Sequence, residues 1–153
     1  MSECESLCPF LEGLGVPRAA LFAVCPIVDN MRTTLKISCP ESGMLEIVDK
    51  TKIGGRNVTR IATDGGELQC HTRGRKKPYM LSASVASDGL STLTCRLVSR
   101  GPGWYTRQER FVSDDGKTLV ERHVLQRPEH DDVSVERRFS RISEDEARPA
   151  SST

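Results

Sequence analysis

Several absences narrow the class of this protein before any motif is read. The chain has no excess of one charge: 22 Lys and Arg stand against 21 Asp and Glu, a net charge of +1. A global electrostatic drive toward nucleic acid or an anionic membrane is thereby excluded. No window approaches 18 apolar residues, so no segment qualifies as a spanning helix. The start, MSECESLCPF, lacks a basic leader followed by an apolar run. Read as it stands, it carries no secretory signal and predicts a protein kept inside the cell. The totals, 37% hydrophobic and 28% charged over 153 residues, fit one soluble globular domain.

The cysteines lack the spacing of a metal site. Cys4, Cys8, Cys25, Cys39, Cys70 and Cys95 contain no Cys-x-x-Cys pair, and Cys70-His71 is an isolated neighbour pair. In a reducing compartment the even count reads as free thiols rather than disulfides. The sequon at Asn57 is idle in such a compartment. Catalytic signatures are missing too. His71, His123 and His130 are scattered, and there is no Gly-x-Ser-x-Gly, His-Glu-x-x-His or phosphate loop. The sequence therefore predicts no enzyme, no metal and no cofactor, and leaves His123 on the surface of a strand.

What is present divides near residue 32. Residues 9–24 place apolar side chains at 10, 11, 14, 20, 21 and 24, interrupted by Gly13, Gly15 and Pro17. This predicts two short helices with a Gly-Val-Pro joint, the second stopped soon by Pro26. Beyond residue 32 the period changes to two. Segments 32–38, 43–51, 57–63, 67–73, 78–87, 90–99, 104–113, 118–126 and 133–142 read as strands. They are separated by turn signals such as Asp88-Gly89 and Asp114-Asp115-Gly116. Eight or nine short strands at even spacing predict a mainly β, antiparallel up-and-down barrel over residues 1–142. Residues 143–153, polar, small and Pro-containing, predict a disordered tail.

One strand carries a contradiction. In VSVERRFSRI (133–142), Val133, Val135, Arg137, Phe139 and Arg141 share one face. The valines and the phenylalanine mark that face as the buried one, yet Arg137 lies in its middle. A buried guanidinium without a partner costs several kcal/mol, so it calls for an anion or a polar shell.

The order of two helices followed by a long meander resembles the intracellular lipid-binding proteins, the fatty-acid-binding and retinoid-binding family of the calycin superfamily, over residues 9 to 142. FLEGLGVPRAALF is similar to that family's helix-turn-helix lid, DKTKIGGRN to its portal turn, and SDGLSTLTCRL to its mid-barrel hairpin. RFVSDDG places Arg110 six residues before a turn, as the family does. Arg137-Arg138-Phe139 stands where the family has Arg-x-Tyr. The resemblance implies that Arg110, Arg137 and Phe139 bind the carboxylate of a fatty acid or retinoid. It also implies a portal edged by Val16, Leu21 and Ile53, with Phe10 and Leu14 beside it. A monomeric cytoplasmic carrier follows, with no nucleic-acid partner and no stable membrane insertion. Nuclear entry is left open by the basic stretch RGRKKP (73–78), which has no interleaved aromatics and reads first as a solvated turn.

Three departures qualify the match. Phe139 lacks the tyrosine hydroxyl. The RPEHDD loop is longer than the family's tight turn. The first strand, with its Gly-x-Trp motif, is not recognisable before the lid, and Trp104 lies elsewhere. A barrel without that strand has an open seam and an exposed edge. An interaction module without lipid is the alternative function.

Overall fold

A computed structural model describes residues 5–51, 55–71 and 77–142. Two helices come first, α1 (Cys8–Gly13) and α2 (Arg18–Asn30). Three strands then form one antiparallel sheet: β1 (Thr33–Ser38), β2 (Met44–Thr51) and β3 (Gly55–Ala62). Six more form a second: β4 (Leu68–His71), β5 (Pro78–Val85), β6 (Ser91–Arg96), β7 (Tyr105–Val112), β8 (Thr118–Gln126) and β9 (Val133–Ser140). Every strand in each sheet pairs with its neighbour in sequence. Asp-Gly turns make this local: at the β5–β6 hairpin Gly89 takes φ +88°, and Asp88 accepts the Leu90 N–H at 3.0 Å.

The mainly β, barrel-like architecture with a helical lid is the expected one, but it is not a single closed sheet. Among the described residues β3 does not pair with β4, and β1 does not pair with β9. The first break falls where residues 63–67 turn at Gly65, φ +81°, with Asp64 accepting the Gly66 N–H. At the second, Glu5 donates its N–H to the Glu136 carbonyl at 3.0 Å. The Glu5 carboxylate accepts the Glu136 N–H at 2.7 Å. The chain before the lid thus meets the outer edge of β9 at one residue.

The two sheets meet over an apolar cluster. Leu45, Ile47 and Ile61 from the first sheet pack with Ala83 from the second, flanked by Leu35, Ile37, Leu81 and Leu93. A second apolar group lies under α1, which packs on β8 and β9. There Leu125 and Val135 are buried, and a side chain at Gly13 would collide with Leu125. Phe10 sets its ring edge-on to His123, with centroids 5.7 Å apart. The α1–α2 joint is fixed from below by Arg100, which donates to the Leu14 carbonyl and lies over the Trp104 ring.

Two expectations for the lid are corrected. Helix α2 runs through Pro26 to Asn30. The bond that proline removes belongs to the turn at Phe22, which is 91% exposed, so water can satisfy the freed carbonyl. Asn30 in turn donates its side-chain amide to the Pro26 carbonyl at 2.8 Å. The cysteines are not all free thiols either: Cys8 and Cys25 form a disulfide between α1 and α2. The lid brings them together across a joint that a count of cysteines cannot see. Cys39, Cys70 and Cys95 are free, and Cys4 lies outside the described residues.

Helix α2 packs chiefly on α1 and is tied further by Asp29, which accepts from Ser6 and Leu7. A helix of this length is marginal by itself, and a cross-link closing a loop of about this size contributes about 3 kcal/mol. Reduction is therefore expected to speed amide exchange across α2 roughly ten- to a hundredfold. The sheet signal in circular dichroism should stay unchanged. Equal exchange in oxidised and reduced protein would show that packing alone holds α2.

Candidate functional site

The inner face of β7, β8 and β9 carries a polar row between the two apolar groups. In the antiparallel register Arg110 lies opposite Glu121, and Glu121 lies opposite Arg137. One step along, Gln108, His123 and Val135 align; one step the other way, Val112, Leu119 and Phe139 align. Alternation along a strand turns all of these side chains to the same side. The same rule brings Arg137 inward with Val135 and Phe139.

Arg110 and Glu121 are both buried, 6% and 5% exposed. Arg110 Nε donates to Glu121 Oε2 at 2.7 Å, and its Nη2 donates to Gln108 Oε1 at 2.7 Å. The other carboxylate oxygen of Glu121 lies 2.6 Å from His123 Nε2. Burial alone would push the Glu121 carboxyl up. The His123 hydrogen bond and the Arg110 charge outweigh it and hold the group at about 2. An ionised carboxylate only accepts, so His123 carries its proton on Nε2. The anion facing Arg110 is therefore a side chain of the chain itself, and Glu121 separates Arg110 from Arg137.

Arg137 has a different environment. It is half-buried, and its guanidinium carbon sits 5.4 Å from the centre of the Phe139 ring. Among the described residues no carboxylate pairs with it. Arg137 and Phe139 both line a cleft of about 870 Å³ where the end of β9 faces β1. Val16 and Leu21, half-buried in the lid, do not line this cleft. Ile53 lies outside the described residues, as do residues 73–76 of the basic stretch and the tail 143–153. Among the described residues no group of His, Cys, Asp and Glu is placed to hold a metal.

Glu121 and His123 were not found from sequence as site residues; His123 in particular is turned inward, not to the surface of its strand. On the outer face of the same strands the register aligns Glu109, Arg122 and Glu136, with Arg122 3.4 Å from each carboxylate. Arg107 and Arg138 extend this ladder through Glu109 and Glu136. The ladder runs alongside Val120 and Val124, both buried on this outer side of β8.

No protein-family model matches the chain, and no curated protein sequence does. Solved structures do match in fold. Fatty-acid-binding protein 1 of Echinococcus granulosus superposes with a TM-score of 0.67 at 15% identity, covering 92% of each chain. The fluorescent protein UnaG superposes with a TM-score of 0.65 at 15% identity, covering 92% of this chain and 91% of its own. The fold of this chain is thus that of fatty-acid-binding proteins.

Proposed function

We propose that the protein is a non-enzymatic carrier of a small hydrophobic ligand with an acidic group, held between the two sheets. The observation that carries this reading is Arg137. An inward arginine beside an aromatic ring, with no carboxylate paired to it among the described residues, offers a charged fork to an incoming anion. Phe139 and Leu119 give the cleft an apolar wall for the tail. Arg110 then has the indirect role of fixing Glu121. The likeness in fold to a fatty-acid-binding protein supports a long-chain carboxylate as the first ligand to try. In this role the protein works as a cytoplasmic monomer, with Val16 and Leu21 of the lid beside the barrel mouth.

Mass spectrometry of the protein released from cells under native conditions, followed by displacement of a fluorescent fatty acid, tests the proposal. A co-purifying amphiphile and saturable displacement by palmitate are expected. Protein that carries no lipid and binds none of a panel of fatty acids, retinoids and other acidic amphiphiles would refute it.

A further inference from the structure

The cleft at the β1–β9 seam holds more positive charge than one carboxylate can answer. Arg32, Lys117, Arg137, Arg138 and Arg141 line it; Arg138 is bound to Glu136, and among the described residues none of the other four pairs with a carboxylate. Its one acidic lining residue among the described residues, Asp29, already accepts hydrogen bonds from Ser6 and Leu7. Thr33 lines the same cleft, and its hydroxyl oxygen is buried with no hydrogen-bond partner among the described residues. Four cations gathered around one space repel each other, and a buried unpaired hydroxyl costs free energy of its own. Both costs are relieved by the same thing: a compact group with several oxygens and more than one negative charge.

From this we infer that the seam is a head-group site for a phosphate-headed amphiphile, such as an alkyl phosphate monoester. A phosphate monoester carries about −1.5 to −2 charge near neutral pH and three acceptor oxygens. Arg32, Lys117 and Arg141 meet it at the rim, Arg137 meets it from the inner side, and Thr33 donates its hydroxyl. The tail runs inward along Leu119 and Phe139. Entry is then sideways through the seam between the sheets, past the C-terminal end of α2. This inference rests on the proposed carrier function and narrows its ligand class.

The test compares hexadecyl phosphate with palmitate and hexadecanol, which share one tail length, by displacement of a fluorescent fatty acid. Hexadecyl phosphate is expected to bind roughly tenfold tighter than palmitate, with the steeper loss on adding salt. The double variant Arg32→Ala/Lys117→Ala should erase that preference while palmitate binding changes less than about threefold. The charge-matched pair Lys36→Ala/Arg56→Ala, outside the cleft, should leave both affinities as they were. Thr33→Val should weaken hexadecyl phosphate and leave the unliganded protein as stable or more so, a pair of signs that a purely structural hydroxyl would not give. Equal affinity for the two heads, or equal effects of the two double variants, overturns the head-group site and leaves the carrier standing. Displacement by inorganic phosphate alone at millimolar concentration would put a tail-less anion in the seam and overturn the amphiphile. Failure of all three hexadecyl ligands to bind also overturns the head-group site, while the carrier is decided by the wider panel of acidic amphiphiles.

Discussion

Glu121→Leu is expected to destabilise the protein by about 3–5 kcal/mol, the usual cost of removing one partner from a buried ion pair. Arg110 would keep its charge and its Gln108 bond but lose the carboxylate at 2.7 Å, and His123 would lose its acceptor. A domain of this size has on the order of 5–15 kcal/mol in total, so the variant is close to unfolding. The double replacement Arg110→Met/Glu121→Leu should recover most of the loss, since no charge is then left buried. Arg122→Leu, one residue along on the outer face, is expected to cost about 1 kcal/mol or less, because its side chain is 41% exposed and its pairs are screened. Urea unfolding at neutral pH orders the three variants. The same pair predicts an acid response. Because the folded Glu121 carboxyl lies below its ordinary 4.5, at about 2, its contribution is complete above pH 4.5 and fades as pH falls toward 2. That loss is worth roughly 3 kcal/mol in the wild type and should be missing from the double variant. Parallel acid profiles for the two proteins would show that Glu121 is not held ionised by its neighbours.

Arg137→Ala is expected to weaken palmitate binding roughly ten- to a hundredfold, the loss of one charge-assisted bond of about 1.5–3 kcal/mol. Its effect on stability should be small, since the guanidinium is half-buried and its partner is the Phe139 ring. Phe139→Tyr should act in the opposite direction and tighten palmitate severalfold, by placing a hydroxyl beside the same carboxylate; one neutral hydrogen bond contributes about 1 kcal/mol. Arg56→Ala, on the other sheet, serves as the reference. A displacement titration on all four proteins decides the matter. If Arg137→Ala and Arg56→Ala bind palmitate equally, the carboxylate is held elsewhere.

Much of the fold could be read in the chain because its signals are local. Turn residues at even spacing and a change of period near residue 32 mark the strands without any knowledge of their partners. The inward Arg137 was legible for the same reason: Val133, Val135 and Phe139 name the buried face of β9. On β8 the same reading fails. Leu119 and Leu125 point one way while Val120 and Val124 point the other, and both sets are largely buried. With apolar residues on both faces, period two cannot say which way Glu121 and His123 turn. Only the register with β7 decides it, by setting Glu121 against Arg110. The Cys8–Cys25 link was hidden because it depends on the angle of a joint between helices. The break between β3 and β4 was hidden because strand propensity says nothing about which edges meet.

That break bears on how the container is bounded. In a fully closed barrel the circumference is fixed by strand number and stagger, and widening it means breaking a ladder of backbone bonds. Here the two sheets join through side chains, Leu45, Ile47 and Ile61 against Ala83, Leu81 and Leu93. Each such contact yields a fraction of a kcal/mol at a time. For the proposed carrier, this joint allows the space between the sheets to change its width by repacking alone, like a clasp whose two halves slide rather than a ring of set bore.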